Sequence, residues 1–388
     1  MISEKTLNLV HDALNLPGDP ASHRVVVAMS GGVDSCVAAG LVKAAGYDAI
    51  GITLQLYDHG KAISRKGACC AGQDIHDARQ VAQHLDMPHY VLDYESRFAD
   101  SVINDFVDSY LVGETPIPCV TCNQTVKFAD LLKQSRALGA AALVTGHYVE
   151  SRPRNDGSGH FDMLTPCDMA RDQSYFLFAT TQDQLDYLRF PLAKISKQET
   201  RQIAIDLGLD IAAKPDSQDI CFVPQGNYAD VIRKLRPDAD QPGKIIHEDG
   251  RVLGAHGGII NYTIGQRRGL GIADKAPLYV SKLDPASATV YVGSKETLLR
   301  NSVVLKNLNW IARGNWKNLD ETTPVFVKLR STRPAAPATI TDSQGEISVT
   351  LDEGEYGLSP GQACVIYDSP GPGAKVLGGG FITSTSQN

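Results

Sequence analysis

Short apolar runs alternate with longer amphipathic stretches over residues 24–150 of the chain. The apolar runs, bounded by glycine or polar clusters, predict buried strands at 25–29, 49–54, 89–92 and 142–146. Apolar residues at helical spacing predict helices between them, including 75–85 and 123–138. This alternation is typical of a parallel sheet with helices on both faces, so the N-terminal part of the chain is predicted to be α/β.

The pattern changes twice further along the chain. Residues 151–236 carry a turn-rich hairpin followed by helical spacing, and Ser196 with Glu199 forms an S-x-x-E capping box that predicts a helix start. After Gly243, short β-branched runs separated by turn residues predict an all-β region of one or two small barrels. We therefore predict an α/β domain over 1–150, a small helical domain over 151–240 and a β-rich domain over 241–388.

Composition limits the class of protein. The 388 residues are 43% hydrophobic and 21% charged, and no apolar stretch is long enough to span a membrane. Eight cysteines without a dense framework favour free thiols in a reducing compartment, so a cytoplasmic location is predicted. The net charge is −7, yet residues 260–333 hold 12 Lys+Arg against 5 Asp+Glu. A basic C-terminal half on an acidic body is typical of a protein that docks a specific polyanion.

The hexapeptide S-G-G-V-D-S directly follows the first predicted strand. Gly31 and Gly32 allow successive backbone N–H groups to converge on an anion, and Ser30 and Ser35 add hydroxyl donors. The helix predicted to start near Asp34 adds the positive end of its dipole. The run differs from both the G-x-x-x-x-G-K-[ST] loop and the G-x-G-x-x-G turn. It resembles the PP-loop of ATP pyrophosphatases, which split ATP between the α and β phosphates to adenylate an oxygen.

Longer motifs follow in order along the chain. They are G-E-T-P-I-P-C-V-T-C-N at 113–123, T-G-H-Y at 145–148, D-Q-S-Y-F at 172–176, D-S-Q-D-I-C-F at 216–222, and T-I-G-Q-R-R-G-L-G at 263–271. Together with the PP-loop they resemble the family of bacterial tRNA-specific 2-thiouridylases over about residues 24–383. The resemblance implies ATP-dependent 2-thiolation of the wobble uridine of tRNA, in which the C2 oxygen is adenylated and sulfur then replaces it.

The resemblance also implies which residues bind nucleotide and tRNA. ATP, with Mg²⁺, is expected to contact Ala28, Met29, Ser30, Gly31, Gly32, Val33, Asp34, Ser35, Leu54 and Gly146. The tRNA is expected to contact Asp172, Gln173, Ser174, Arg330, Ser331, Lys127, Arg267 and Arg268. The implied tRNAs are the lysine, glutamate and glutamine acceptors. The implied sulfur source is a persulfide relay protein or a cysteine desulfurase, and no membrane partner is expected.

Several of these residues keep a second interpretation. Asp34 orients Mg²⁺ or caps its own helix. Lys127 reaches a phosphate or is an ordinary lysine on a solvated helix face. Arg267 and Arg268, flanked by glycines, form a basic loop tip for phosphate or a plain turn.

Cys122 and Cys221 stand in contexts unlike those of the other cysteines. Cys122 is predicted to lie at the start of the helix that begins at Asn123, where the dipole lowers the pKa of a thiol. Cys221 follows an acidic, polar segment typical of a loop. The resemblance implies that Cys221 carries a persulfide and that Cys122 attacks it. The other cysteines are predicted to be inert, either as packing residues (Cys36, Cys167 and Cys364) or as exposed bystanders (Cys69 and Cys70).

Cys119 stands where the family usually has an aspartate, so the acid/base role of that position is unassigned here. Cys119, Cys122 and Cys221 supply three thiolates, enough to hold a [4Fe-4S] cluster with one open iron. A C-x-x-C pair is equally a redox pair. Persulfide chemistry is favoured over cluster chemistry because only three candidate ligands for a cluster are evident in the sequence. Both interpretations remain open.

Two other functions fit parts of the sequence. A PP-loop ligase that adenylates a different acceptor needs the loop, but it needs neither Cys122 nor Cys221. A tRNA-binding or sulfur-carrier protein without turnover needs no intact nucleotide loop. Replacing either cysteine with serine tests the first alternative, and pyrophosphate release with ATP and tRNA tests the second.

Overall fold

The computed structural model of the chain describes residues 2–57, 70–216, 220–223, 227–314, 316–318 and 323–387. The chain divides into two compact units. The first unit comprises Met1–Ser101, Cys119–Phe222 and Gly371–Leu377, and the second comprises Val102–Pro118, Val223–Pro370 and Gly378–Asn388. Cys69 and the side chain of Cys70 lie outside the described residues, so the expectation for them stays a prediction.

The first unit is built on a parallel sheet. Its strands, with those of a small hairpin, are β1 Arg24–Ala28, β2 Asp48–Gln55, β3 His89–Asp93, β4 Ala142–Val144, β5 Glu150–Pro153, β6 Phe161–Leu164 and β7 Leu188–Arg189. The sheet order is β3-β2-β1-β4-β7, and β5 pairs with β6 outside it. In the parallel register Val26 lies opposite Ile50 on one side and Leu143 on the other. The predicted α/β class and parallel sheet are confirmed.

Helices follow the strands in the order that the spacing of apolar residues predicts. The α-helices are α1 Glu4–Leu14, α2 Val33–Ala44, α3 Cys70–His84, α4 Glu95–Phe98, α5 Asn104–Leu111, α6 Pro118–Cys122, α7 Leu131–Ala137, α8 Gln182–Tyr187, α9 Lys197–Asp206 and α10 Tyr228–Leu235. Two π-helical segments cover Ala99–Ile103 and Asn123–Asp130. The predicted capping box is present, because Ser196 and Glu199 exchange side-chain and backbone hydrogen bonds at the start of α9.

The core of the first unit lies between the sheet and α2. Val37, Leu41 and Val42 are fully buried on α2, beside Val25 and Val27 of β1. Residues of α9, such as Ala204, join the same core, so this helix packs on the sheet domain and does not stand apart from it. The predicted boundaries near 150 and 240 remain predictions.

The second unit is β-rich, as the C-terminal pattern predicts. Its strands are β8 Gly243–His247, β9 Val252–His256, β10 Tyr279–Asp284, β11 Thr289–Gly293, β12 Leu299–Trp310, β13 Val325–Lys328, β14 Ala336–Ser343, β15 Glu346–Tyr356, β16 Ala363–Tyr367 and β17 Val376–Ser386. They form a sheet in the order β10-β11-β8-β9 and a closed barrel in the order β12-β15-β14-β13-β16-β17. Within the part of the chain that the structure describes, no helix has the length and apolar character needed to cross a membrane.

Candidate nucleotide and thiol site

The nucleotide loop, residues 30–35, joins β1 to α2 and is held by its own serines. Ser35 Oγ accepts a hydrogen bond from the Ser30 backbone N–H at 3.0 Å and donates to the Gly32 carbonyl at 3.1 Å. Gly31 has φ +76°, and a Cβ there would lie 2.0 Å from the Asp74 carbonyl oxygen, so the position requires glycine. Gly32 is the N-cap of α2 and provides no side-chain cap. The N–H groups at the positive end of the helix can therefore bind an anion in the loop.

The remaining predicted nucleotide residues share the C-terminal edge of the parallel strands. They are Ala28, Met29, Val33, Leu54 and Gly146. A Cβ on Gly146 would lie 2.6 Å from the Ser35 backbone nitrogen, so this glycine lets the chain after β4 pass against the start of α2. Ligands of parallel α/β sheets bind at this edge. The structure therefore brings the predicted nucleotide residues together, although their contacts with ATP stay a prediction.

The Asp34 carboxylate does not cap its own helix, so that interpretation of the residue is wrong. It accepts a hydrogen bond from the Tyr148 hydroxyl at 2.9 Å and two from the Lys197 ammonium at 2.7 and 2.9 Å. The same ammonium lies 2.7 Å from Asp216 Oδ1. Lys197 therefore compensates the charge of Asp34, and the predicted role of Asp34 in orienting Mg²⁺ stays a prediction.

A second lysine ties the nucleotide loop to α3. Lys214 Nζ donates to the Gly31 carbonyl at 2.9 Å, to Asp74 Oδ1 at 2.7 Å and to Asp77 Oδ2 at 2.5 Å. Burial raises the pKa of Asp77, but the hydrogen bond and charge of Lys214 lower it overall. Sequence reasoning missed Lys197 and Lys214, because neither lies in a motif and their partners are far away in sequence.

The helix that carries Cys122 begins earlier than predicted. It starts at Pro118 and continues from Cys122 into the π-helical segment Asn123–Asp130, so Cys122 does not lie at a helix start. Burial raises the pKa of the Cys122 thiol, and the opposing effect of the nearby Lys127 charge is smaller. The predicted lowering of this pKa by a helix dipole is therefore wrong.

Lys127 is the cation of a thiol cluster that it forms with Cys119, Cys122 and Cys221. Burial lowers the pKa of the Lys127 ammonium, but its interactions with the three thiols raise it overall. In return its charge lowers each thiol pKa, against burial, which dominates and raises the pKa of Cys221 to about 12. The Lys127 Nζ also donates to Asn123 Oδ1 at 3.1 Å. Lys127 thus interacts electrostatically with the three thiols. Its predicted contact with tRNA stays a prediction.

The π-helical segment follows Cys122 directly and carries Lys127. Asn123 anchors the segment, because its Nδ2 donates to the Phe176 carbonyl at 3.2 Å and its side chain is buried. Burial and the Lys127 charge lower the pKa of His147 to about 3, so this neighbour is neutral near pH 7.

The interpretation of the three cysteines as ligands of an iron–sulfur cluster stays a prediction. The cysteines proposed as ligands all belong to the described residues: Cys119, Cys122 and Cys221. Across the described ranges, no group of three or more His, Cys, Asp or Glu side chains is placed to hold a metal ion. Of the predicted packing cysteines, Cys36 and Cys364 are fully buried, and burial raises the pKa of both thiols. Cys167 is exposed, so the packing prediction is wrong for that residue.

Three predicted tRNA residues lie beside this site in the first unit. Asp172 and Ser174 are buried, and the Ser174 backbone N–H donates to Asp172 Oδ1 at 2.9 Å. Gln173 Oε1 accepts the Tyr148 backbone N–H at 2.9 Å. These bonds brace the chain around the T-G-H-Y motif, and the predicted contact with tRNA stays a prediction.

The other predicted tRNA residues belong to the second unit. Arg267 and Arg268 are exposed on a loop, and Arg267 with Lys275 lines an open pocket of about 450 Å³. Arg330 and Ser331 are half-buried at the end of β13, where Arg330 donates to the Tyr356 carbonyl at 2.8 Å. Their role in binding RNA likewise stays a prediction.

Comparison with known proteins covers nearly the whole chain. Residues 23–225 match the family model described as the tRNA methyl transferase HUP domain, 230–294 its PRC-barrel domain, and 300–382 the aminomethyltransferase beta-barrel domain. The tRNA-specific 2-thiouridylase MnmA of Rhodopseudomonas palustris is 57% identical over 376 residues, which cover 97% of this chain and 94% of that protein. The protein of the same name from a Bradyrhizobium species is 59% identical over 374 residues, covering 96% and 94%.

Likeness to solved structures is much weaker. The U34-tRNA thiolase NcsA from Methanococcus maripaludis is 16% identical with a TM-score of 0.38, covering 60% of this chain and 73% of that one. A likeness of this size carries no information about function. The family descriptions name methyl transfer, whereas the curated relatives are named for thiolation, and those relatives match along almost their full length.

Proposed function

This chain belongs to the family of tRNA-specific 2-thiouridylases, and from that premise we propose that it converts the wobble uridine of tRNA to 2-thiouridine through adenylation and persulfide chemistry. The chain is a tRNA sulfurtransferase that uses ATP. One observation carries the proposed mechanism: the nucleotide loop and the thiol cluster belong to the same compact unit. A ligase that adenylates another acceptor does not require the thiol cluster for its reaction.

The first step activates the uridine. Its C2 oxygen attacks the α-phosphorus of ATP, the bond to the β-phosphate oxygen breaks, and pyrophosphate leaves. Backbone N–H groups of the nucleotide loop, the Ser30 hydroxyl and the positive end of α2 stabilise the charge on the leaving group, while Ser35 holds the loop in shape. Mg²⁺ bound to the nucleotide supplies further positive charge. The base then carries AMP on its former carbonyl oxygen and is electrophilic at C2.

The second step delivers sulfur. Cys221 carries a persulfide, and the Cys122 thiolate attacks its inner sulfur. A Cys122–Cys221 disulfide forms and hydrosulfide leaves. Hydrosulfide adds to C2 of the base, and AMP departs with the original oxygen. A thiol reductant then restores both cysteines, and the Lys127 charge stabilises the thiolates during these steps.

The electrostatics of the thiol cluster support this assignment of roles. Desolvation raises the pKa of the Cys122 and Cys221 thiols, although Cys221 as a residue is exposed, so both stay protonated at rest, while Lys127 favours the anion needed for attack. Cys119 is exposed and lies in the same cluster, so it serves as an auxiliary thiol that can exchange with either partner.

The partners and location follow from the same chemistry. A protein-bound persulfide, from a relay protein or a cysteine desulfurase, supplies the sulfur. The tRNAs are those that accept lysine, glutamate and glutamine, and the base leaves its stack to reach the thiols. The need for a reductant agrees with a cytoplasmic location.

The test combines a product assay with cysteine replacement. Unmodified tRNA, Mg²⁺, ATP and a persulfide donor are incubated with the protein in single turnovers; 2-thiouridine is measured by mass spectrometry and pyrophosphate by an enzyme-coupled assay. We expect Cys122→Ser and Cys221→Ser each to lower thiouridine by about 100-fold or more while pyrophosphate, the product of the adenylation step, still forms. Cys167→Ser, an exposed cysteine of the same unit, is the matched control and is expected to keep full activity. Thiouridine formation at the normal rate in either of the first two variants contradicts the proposal.

A further inference from the structure

The segment that precedes Cys221 is bound to the nucleotide loop by two lysines. Lys214 donates to the carbonyl of Gly31, and Lys197 bridges Asp34 in the loop to Asp216. Asp216 stands five residues before Cys221 in the sequence. The residues that begin the sulfur-carrying segment are therefore attached to the residues that surround the nucleotide.

The Lys197 bridge is buried and has its charge compensated on both sides. Lys197 is 7% exposed, and its Nζ lies 2.7 and 2.9 Å from the two Asp34 oxygens and 2.7 Å from Asp216 Oδ1. An ammonium has three N–H donors, and these acceptors match all three. The geometry therefore suits a structural link, because no donor remains for a phosphate unless one of the carboxylates lets go.

Asp216 is the most strongly held residue of this bridge. Besides Lys197, its carboxylate lies 2.8 Å from Arg171 Nη1 and 2.9 Å from Arg201 Nη2. Arg201 also donates to the carbonyls of Ala212 and Lys214, which fixes the backbone on the N-terminal side of Asp216. Removing one partner from such a buried ion network leaves uncompensated charge, so the network resists displacement.

We propose that Lys197 and Asp216 are positioning residues, which hold the Cys221-bearing segment in register with the nucleotide loop so that sulfur is released next to an adenylated base. This inference rests on the proposed function. It predicts that weakening the bridge uncouples the two half-reactions: the base is still adenylated, with release of pyrophosphate, but less of the adenylated base is converted to thiouridine.

The test variant is Asp216→Asn, which keeps the shape of the side chain and removes its charge. Displacement of a reacting group by about 1 Å costs about 100-fold, so we expect thiouridine formation to fall about tenfold or more. Pyrophosphate release, which reports the adenylation step, should stay within about twofold, because Asp34 keeps its Lys197 partner. Asp183→Asn, which breaks the exposed pair with Arg136, is the matched control and should change neither product.

A second readout needs neither tRNA nor ATP. Mild oxidation with copper phenanthroline forms disulfides, and peptide mapping measures the rate at which Cys122 joins Cys221. Asp216→Asn should slow this reaction about fivefold or more, and Asp216→Glu, which keeps the charge, should restore most of the rate. Should the asparagine variant fail to fold, Asp216→Glu carries both readouts, with an expected loss of about threefold.

The outcomes separate this inference from the proposed function. Loss of pyrophosphate release and thiouridine in parallel, or an unchanged rate of disulfide formation, overturns the positioning role. A wild-type protein that makes no thiouridine overturns the proposed function, while the disulfide rate still decides whether the bridge positions Cys221.

Discussion

The nucleotide loop and the thiol cluster lie in one unit but balance charge in opposite ways. Around the loop, Asp34 is compensated by Lys197, and Lys214 by Asp74 and Asp77. The loop can therefore receive an anion without rearranging its own charges. In the thiol cluster, Lys127 is the cation that acts on the three thiols within the described part of the chain, and desolvation raises the pKa of each thiol. The thiols are therefore mostly protonated at neutral pH.

This difference indicates that the nucleotide loop depends on a fixed backbone conformation, whereas the thiol cluster depends on the pKa values of its thiols. A preorganised anion site binds ATP well only if its backbone keeps one conformation. A buried thiol next to a cation, in contrast, tolerates small movements but depends on the charge. Substitutions in the loop should therefore act through shape, and substitutions in the cluster through pKa.

The largest effect is expected from Gly31→Ala. Its Cβ would lie 2.0 Å from the Asp74 carbonyl oxygen at a φ of +76°, so the loop must shift, at a cost of roughly 1–3 kcal/mol. We expect ATP turnover, measured as AMP release, to fall about 100-fold or more. Gly32→Ala is the control, because its Cβ would meet only Ser30 Oγ at 3.5 Å, and equal losses in both variants would contradict a loop that acts through shape.

A smaller effect is expected from Lys127→Gln. Loss of the cation raises the thiol pKa values further, so alkylation of exposed Cys119 by iodoacetamide at pH 8 should slow by about tenfold for each pKa unit. Lys127→Arg should keep most of the rate, and Lys133→Gln on the exposed face of α7 should keep all of it. ATP affinity should not change, and an unchanged alkylation rate would remove Lys127 from the thiol cluster.

Local patterns predicted the loop side of this comparison well. The hexapeptide S-G-G-V-D-S, the strand before it and the helix after it are contiguous, and backbone preferences of glycine and serine determine their fold. The interpretation of Asp34 as a cap failed because its partner, Lys197, lies 163 residues away and leaves no trace near the loop. The capping box of α9, again a local feature, was predicted correctly.

The thiol side depends on tertiary structure, and local rules failed there. A helix start at Asn123 predicts a lowered pKa for the Cys122 thiol. The helix instead starts at Pro118, and burial raises that pKa. The π-helical segment that carries Lys127 has no sequence pattern of its own. Motif content identified the cysteines, while their electrostatics required the fold.

The pH dependence of the two products of the wild-type protein should differ, because one product depends on the thiol cluster and the other on the nucleotide loop. The pKa of each thiol in the cluster is raised, so the thiolate fraction grows about tenfold per pH unit below that pKa, and thiouridine formation should rise from pH 7 to 9. The pKa values of Asp77 and Asp216 are lowered on balance despite burial, so both carboxylates stay ionised and pyrophosphate formation should be flat. Parallel profiles for the two products, measured in single turnovers, would contradict the contrast.

The smallest effect is expected from His147, which tests whether Lys127 is the cation that the thiols sense. Burial and Lys127 lower the pKa of the His147 imidazole to about 3, so its ring signals in NMR spectra should not titrate between pH 5 and 8. His147→Gln should then shift the pH profile of Cys119 alkylation by less than about 0.3 pH unit, because a neutral ring adds no charge to the cluster. A His147 that titrates in this range would add a second cation at low pH. The thiolate fraction, and with it the alkylation rate, would then rise less steeply through the pKa of His147 than the tenfold per pH unit expected from Lys127 alone.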